Sequence, residues 1–321
     1  MILTLTPNPS VDRTVTLTEP LERGAVHRVA AETSHPGGKG VNISRACVVA
    51  GIPTTAVLPA PADDPFLREL DTLGVPWRAV PAGPPRVNVT VTEPDGTTTK
   101  LNSAGSTVGP ELLEGLEEQV VAALELAAGW VVLAGSLPPG APQDWYAGLV
   151  ARLRGRGAQV AVDPSDAPLA ALAEALPGSA PHLLKPNGAE LASLTGHDGE
   201  ALEEDPSAAV RAASQLVDRG VGAVLATLGG RGAVLVTPEG AWHASAPPTT
   251  VVSTVGAGDS SLFGYLLGDL RGLDPASRLA LAVAYGSAAA GLPGTTVPQP
   301  HEVRPDLVEV CALQHPGGVN P

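Results

Sequence analysis

At 321 residues, 44% of them apolar, the chain is long enough to bury the core of one large α/β domain, and with only 3% aromatics that core has to be packed from Ala, Val and Leu. A formal charge of −14 repels polyanions and anionic lipid, which argues against nucleic acid or a membrane surface as partner. The two cysteines, Cys47 and Cys311, give no disulfide framework and no metal-ligand spacing, and no apolar run reaches membrane-spanning length.

The N-terminal MILTLTPNPSVD has neither the basic start nor the long apolar stretch of a signal peptide, so a cytoplasmic protein with reduced thiols is expected. Its run at 2–6 is too short for a helix and predicts a strand. Residues 11–33 alternate, with Val15, Leu17, Val26 and Val29 set among polar neighbours. A Gly-rich turn, Gly37-Gly-Lys-Gly-Val-Asn42, precedes a helix ending at Ala50 and Gly51. Residues 86–102 alternate again, as two arms about the turn Glu93-Pro94-Asp95-Gly96. Leu113, Leu116, Val120 and Leu124 have helical spacing.

Further apolar runs follow at 130–134, 159–163, 182–185 and 224–228. A hairpin at 233–236 and 241–244 should extend the sheet edge, and a helix carrying Leu262, Phe263, Leu266, Leu267 and Leu270 is predicted to start near Ser260. Strand–helix alternation of this kind predicts an α/β fold, a mainly parallel sheet sandwiched by helices. The segments 11–33 and 86–102 break the rhythm and should form a small antiparallel β-lid inserted in a single domain, 1–314. The tail 315–321 reads as disordered.

Four motifs carry chemistry. In Ser253-Thr-Val-Gly-Ala-Gly-Asp-Ser260, the backbone N–H groups of Gly256, Ala257 and Gly258 can converge at a helix start to form an anion hole. Asp259 is either a general base beside that hole or an ordinary N-cap. Lys39 brings positive charge to the GGKG turn, and Asn42 can donate and accept to hydroxyls; a solvated lysine on a tight turn is the plainer alternative. Asn187 and Glu190 share a helix face, which suits a hydrated Mg²⁺ or equally a capping box. Thr227-Leu-Gly-Gly-Arg-Gly232 is a strand end entering a Gly turn, suited to nucleotide phosphates or to a plain hairpin. All four fall near the C-terminal ends of predicted strands, where open α/β sheets bind ligands.

In this order, with TPNPSVD at 6–12 and LAGSLPPG at 133–140, the motifs resemble the ribokinase-like family in its phosphofructokinase-B branch, from residue 2 to about 296. The resemblance implies an ATP- and Mg²⁺-dependent sugar-phosphate kinase, dimeric through its lid. Residue by residue, it implies Asp259 as catalytic base and Gly256, Ala257 and Gly258 as anion hole. Asp12, Gly38, Lys39, Asn42, Arg86 and Ser136 match sugar-phosphate positions. Lys185, Asn187, Glu190, Thr227 and Gly229 match the nucleotide and Mg²⁺ side, and Gly286 and Ser287 the adenine pocket.

Within the branch, RVNV at Arg86 and the NPSVD start favour fructose 1-phosphate as acceptor. Tagatose 6-phosphate is the alternative inside the class, and a catalytically silent sugar-phosphate sensor the alternative outside it. Intact Asp259 in GAGD argues against the sensor. The chain departs from the family pattern at 58–70, where a Gly-rich turn is missing, at Thr90 in place of Lys, and at Thr227 in place of Ser.

Overall fold

Seven strands run parallel through the centre of the computed structural model, which describes residues 1–125 and 129–314. They are β1 (Ile2–Leu5), β4 (Thr54–Pro59), β5 (Trp77–Val80), β8 (Trp130–Ala134), β9 (Gln159–Asp163), β10 (Leu183–Leu184) and β11 (Val224–Thr227). Three antiparallel strands, β12 (Ala233–Thr237), β13 (Gly240–Ser245) and β14 (Glu309–Leu313), complete one edge. The order is β14-β13-β12-β11-β10-β9-β8-β1-β4-β5. The predicted hairpin is therefore present, but β14 lies outside it.

Successive strand residues point to opposite faces, and both faces are covered. Leu3, Leu5, Val131 and Leu133 face the helices Pro110–Leu124, Trp145–Arg154 and Pro206–Asp218. Ile2, Trp130, Val132 and Ala134 face Lys39–Val49, Ala257–Leu270 and Pro275–Ala290. Burying each Leu or Val contributes about 1.5–3 kcal/mol of transfer free energy. Phe263 and Tyr285 meet edge to face at 5.0 Å, joining the last two helices.

One row of hydroxyls crosses this apolar layer without an unpaired group. Thr4 Oγ1 lies 2.8 Å from Ser44 Oγ, and Ser44 Oγ 2.9 Å from Thr54 Oγ1, which donates to Ile2 O. Gly40 lets the helix come this close, since a Cβ there would lie 2.4 Å from Thr6 Oγ1.

The lid forms a sheet of its own, in the order β3-β2-β6-β7. Its strands are β2 (Ser10–Leu17), β3 (Val29–Gly37), β6 (Arg86–Thr92) and β7 (Thr98–Asn102). The outer pairs are antiparallel, while β2 and β6 run parallel, with Asp12 opposite Asn88. The helix of the GAGD motif starts at Ala257, earlier than expected. Gly256 is its N-cap, with φ of 79°, so Asp259 stands in the first turn and is not the cap. The tail 315–321 lies outside the described residues. Among the described residues no helix is long and apolar enough to cross a membrane.

Candidate active site

The C-terminal ends of β9, β10 and β11, the starts of the helices at Lys39 and Ala257, and the inner face of the lid enclose a cleft of about 940 Å³. Of the residues singled out in the sequence, sixteen line it; Ser136 does not.

Its floor is a buried charge cluster. Asp163 ends β9 with no exposed surface. Lys39 Nζ donates to Asp163 Oδ1 at 2.8 Å and to Ser165 Oγ at 3.1 Å, and Lys185 Nζ stands 3.2 Å from Asp163 Oδ2. Burial alone would push the Asp163 carboxyl up, but the Lys185 and Lys39 ammoniums hold it below the usual carboxylate range. Burial likewise opposes the charge on Lys39, and Asp163 and Asp259 outweigh it, keeping the ammonium above its ordinary value.

Asp259 is 8% exposed, and its Oδ2 accepts a hydrogen bond from Asn42 Nδ2 at 2.8 Å. Burial, aided by repulsion from Asp163, pushes its carboxyl up to about 6 against the pull of Lys39, Asn42 and Lys185. A carboxylate tuned to that value can take a proton near neutral pH. The first N–H groups of the helix have no intrahelical acceptor and carry the positive end of its dipole. Ala257 N–H turns back to Thr254 O at 3.4 Å, so Gly256 and Gly258 are the freer donors. The turn lies directly over the floor: a Cβ at Gly258 would be in ordinary contact with Lys185 Nζ, at 3.4 Å.

The lid brings in a second polar group. Asp12 Oδ1 accepts from Ser10 Oγ at 2.8 Å and from Asn88 Nδ2 at 3.0 Å. Arg86 Nη1 donates to Ser103 O at 3.1 Å, while its Nε is buried without a hydrogen-bond partner. Ser136, off the cleft wall, also has a buried Oγ without a partner. Lys100 pairs with Thr90 across the lid, so a cation stands one strand from the position where the family pattern has lysine. None of residues 58–70 lines the cleft; Asp64 there caps the helix Pro65–Thr72.

On the opposite wall, Asn187 and Glu190 form a reciprocal capping box. Asn187 Oδ1 accepts from Glu190 N at 2.8 Å, and Glu190 Oε2 accepts from Asn187 N at 2.9 Å. Glu190 Oε1 takes no part in the box. Among the described residues no group of three His, Cys, Asp or Glu could hold a metal ion by itself. That donor set suits a cation arriving hydrated on phosphates and not a protein cage. Thr227 and Gly229 adjoin this wall, and Gly286 and Ser287 lie beyond it with Val251 and Val283. A Cβ at Gly286 would lie 2.2 Å from Ser261 Oγ, so glycine is needed for the helices to pack there.

The sequence reading missed Asp163, Asn88 and Ser10. Asp163 left only a carboxylate at the end of an apolar run, just before Pro164, which does not tell a strand end from an anchor for two lysines. Asn88 left no signal, because only the parallel pairing of β2 with β6 brings it to Asp12, whereas Ser10 reaches Asp12 from two residues earlier on the same strand.

A family model described as pfkB family carbohydrate kinase matches residues 6–302. The 1-phosphofructokinase of Rhodobacter capsulatus is 37% identical over 308 residues, with 94% of each chain covered. That of Haloferax volcanii is 37% identical over 309 residues, covering 94% of this chain and 95% of its own. Among solved structures, phosphofructokinase-2 from Escherichia coli in complex with substrates and products superposes with a TM-score of 0.85 at 29% identity, covering 94% of this chain and 97% of that one.

Proposed function

The chain belongs to the pfkB family of carbohydrate kinases, and on that premise we propose that it moves the γ-phosphoryl group of ATP onto fructose 1-phosphate, giving fructose 1,6-bisphosphate and ADP. The observation that carries the chemistry is Asp259: a buried carboxylate, held by Asn42, in the first turn of a helix whose opening residues Gly256, Ala257 and Gly258 line the same cleft.

The acceptor hydroxyl loses its proton to Asp259 as its oxygen attacks the γ-phosphorus. Backbone N–H groups of Gly256 and Gly258, with Lys39 and Lys185 nearby, stabilise the charge spread over the phosphoryl oxygens. Asp12, Asn42 and Asn88 orient the sugar hydroxyls, and Arg86 holds the phosphate already on the sugar. ATP lies along Asn187, Thr227 and Gly229, with its base toward Gly286 and Ser287. Asn187 and Glu190 would hold a hydrated Mg²⁺, which would supply positive charge to the nucleotide phosphates.

The acceptor assignment draws on the names of the curated relatives and on the charged lid wall. An assay of ADP release across fructose 1-phosphate, tagatose 6-phosphate, fructose 6-phosphate and free fructose tests it. Fructose 1-phosphate should give the highest kcat/KM. A preference for tagatose 6-phosphate would change the acceptor and leave the chemistry; a preference for free fructose would remove the role of Arg86. An intact Asp259 in its polarised setting counts against a silent sensor.

The outer lid face exposes Val87 and Leu101, and Val26 and Val29 lie exposed on the same sheet or its connecting turn. Apolar surface on a thin sheet calls for a cover, and a second copy of the lid would supply it. Light scattering on Val87→Asp/Leu101→Asp should then report a monomer where the unaltered chain reports a dimer. An ATP-using enzyme with reduced thiols belongs in the cytoplasm.

A further inference from the structure

Arg45 sits on the helix Lys39–Val49 with 9% of its surface exposed. A buried guanidinium is normally held by a carboxylate, because removing its charge from water is costly. Among the described residues its hydrogen-bond acceptors are all neutral. Arg45 Nη1 donates to Asn42 Oδ1 at 3.3 Å, to Pro36 O at 3.3 Å and to Thr295 Oγ1 at 3.4 Å. Asp12 and Glu69 act on it only at longer range.

The contact with Asn42 explains why a charge is kept in such a place. A carboxamide has two ends of nearly equal size and opposite hydrogen-bonding character. With Nδ2 toward Asp259 it donates to the carboxylate, as observed at 2.8 Å. Turned over, it would set one oxygen against another. A cation at the far end of the amide decides between the two, because it can only face Oδ1. We infer that Arg45 is a positioning residue for phosphoryl transfer: by donating to Asn42 Oδ1 it locks the Asn42 amide with Nδ2 on Asp259. The bonds to Pro36, at the end of lid strand β3, and to Thr295, whose backbone adjoins Gly256, keep the guanidinium from turning away.

This inference rests on the reading of Asp259 as the base. The other charged groups facing Asp259 are Asp163, Lys39 and Lys185, and a substitution at 45 alters none of them. Removing Arg45 therefore acts on the base through Asn42. Once the amide can turn, the hydrogen bond that favours the ionised carboxylate is lost for part of the time, and the carboxyl holds its proton to higher pH.

The experiment follows kcat/KM for fructose 1-phosphate against pH in the full chain, comparing Arg45→Met, Asn42→Ala, the double variant and Arg45→Lys. In Arg45→Met the acid limb should move up by about one pH unit, the worth of one hydrogen bond to a charged group. KM for ATP should not change. Asn42→Ala, which loses the bond outright, should show a shift at least as large, the double variant no more than Asn42→Ala alone, and Arg45→Lys should bring the limb part of the way back to wild type. An unmoved limb in Arg45→Met would overturn the inference. So would a shift that adds in full to that of Asn42→Ala, since Arg45 would then act by another route. If Arg45→Met does not fold, Arg45→Leu carries the same comparison. Asp259→Asn is assayed alongside: if it keeps wild-type turnover the reading of the base fails, whereas an inactive Asp259→Asn with an unmoved limb in Arg45→Met removes the positioning role alone.

Discussion

Asn42 and Asp259, 217 residues apart in sequence, are joined by a hydrogen bond of 2.8 Å inside the cleft. The bond favours the ionised carboxylate, while burial and Asp163 oppose it, and the carboxyl ends at about 6 instead of 3.8. A carboxyl raised on folding adds stability at pH below its unfolded value, and that contribution is lost as pH rises through the folded value. Between about pH 4 and 6 the wild type should therefore lose stability relative to Asp259→Asn, by an amount on the order of 3 kcal/mol. Denaturant unfolding of both proteins across that range checks this; parallel curves would mean that Asp259 titrates as an ordinary carboxyl.

Asp163 has the opposite sign. It is held below the usual range, so its contribution is present at neutral pH and lost as pH falls through its folded value. Asp163→Asn leaves Lys185 buried and Lys39 half-buried without their counter-ion, and should cost about 3–5 kcal/mol of stability together with most of the activity. Urea unfolding at neutral pH measures the first. A loss below about 1 kcal/mol would show that the cluster is wetter than the fold suggests.

Glu190 separates a cap from a cation site. Glutamine can still accept at N3 of a capping box, so Glu190→Gln should melt within a few degrees of wild type. Its lost charge should raise the Mg²⁺ concentration for half-maximal rate several-fold. A Mg²⁺ titration that coincides with wild type would leave Glu190 with the cap alone.

Arg86 reaches the cleft from the lid with an unpartnered buried Nε. Arg86→Ala should raise KM for the sugar phosphate by roughly 10–150-fold, the worth of a charge-assisted hydrogen bond, with KM for ATP nearly unchanged. Initial-rate kinetics with each substrate varied in turn gives both values; an equal rise in the two would point to lid collapse instead.

The layered sheet could be read from the sequence because its strands are continuous apolar runs, as at Trp130–Ala134, and the lid because 86–102 alternates polar and apolar residues. Asp259, Lys39 and Glu190 were legible because glycines mark their turns. Asp163 was not, since one carboxylate at a strand end looks the same whether it closes a strand or anchors two lysines. The parallel pairing of β2 with β6 could not be seen either: alternation fixes which face a residue takes, not which strand lies beside it. The early start of the helix at Ala257 followed from Gly256 adopting a left-handed cap, a property of the backbone that the GAGD spelling only permits.

Turnover of Asp259→Asn with fructose 1-phosphate and Mg²⁺-ATP bears most directly on the whole reading. Wild type should form fructose 1,6-bisphosphate and ADP in equal amounts. The variant should still bind both substrates, with kcat lower by roughly 10²–10⁴-fold, the usual worth of a general base. A kcat near wild type in a folded Asp259→Asn would contradict the account, because no other carboxylate in the cleft combines burial, a carboxyl raised to about 6 and a place in the first turn of the Ala257–Leu270 helix.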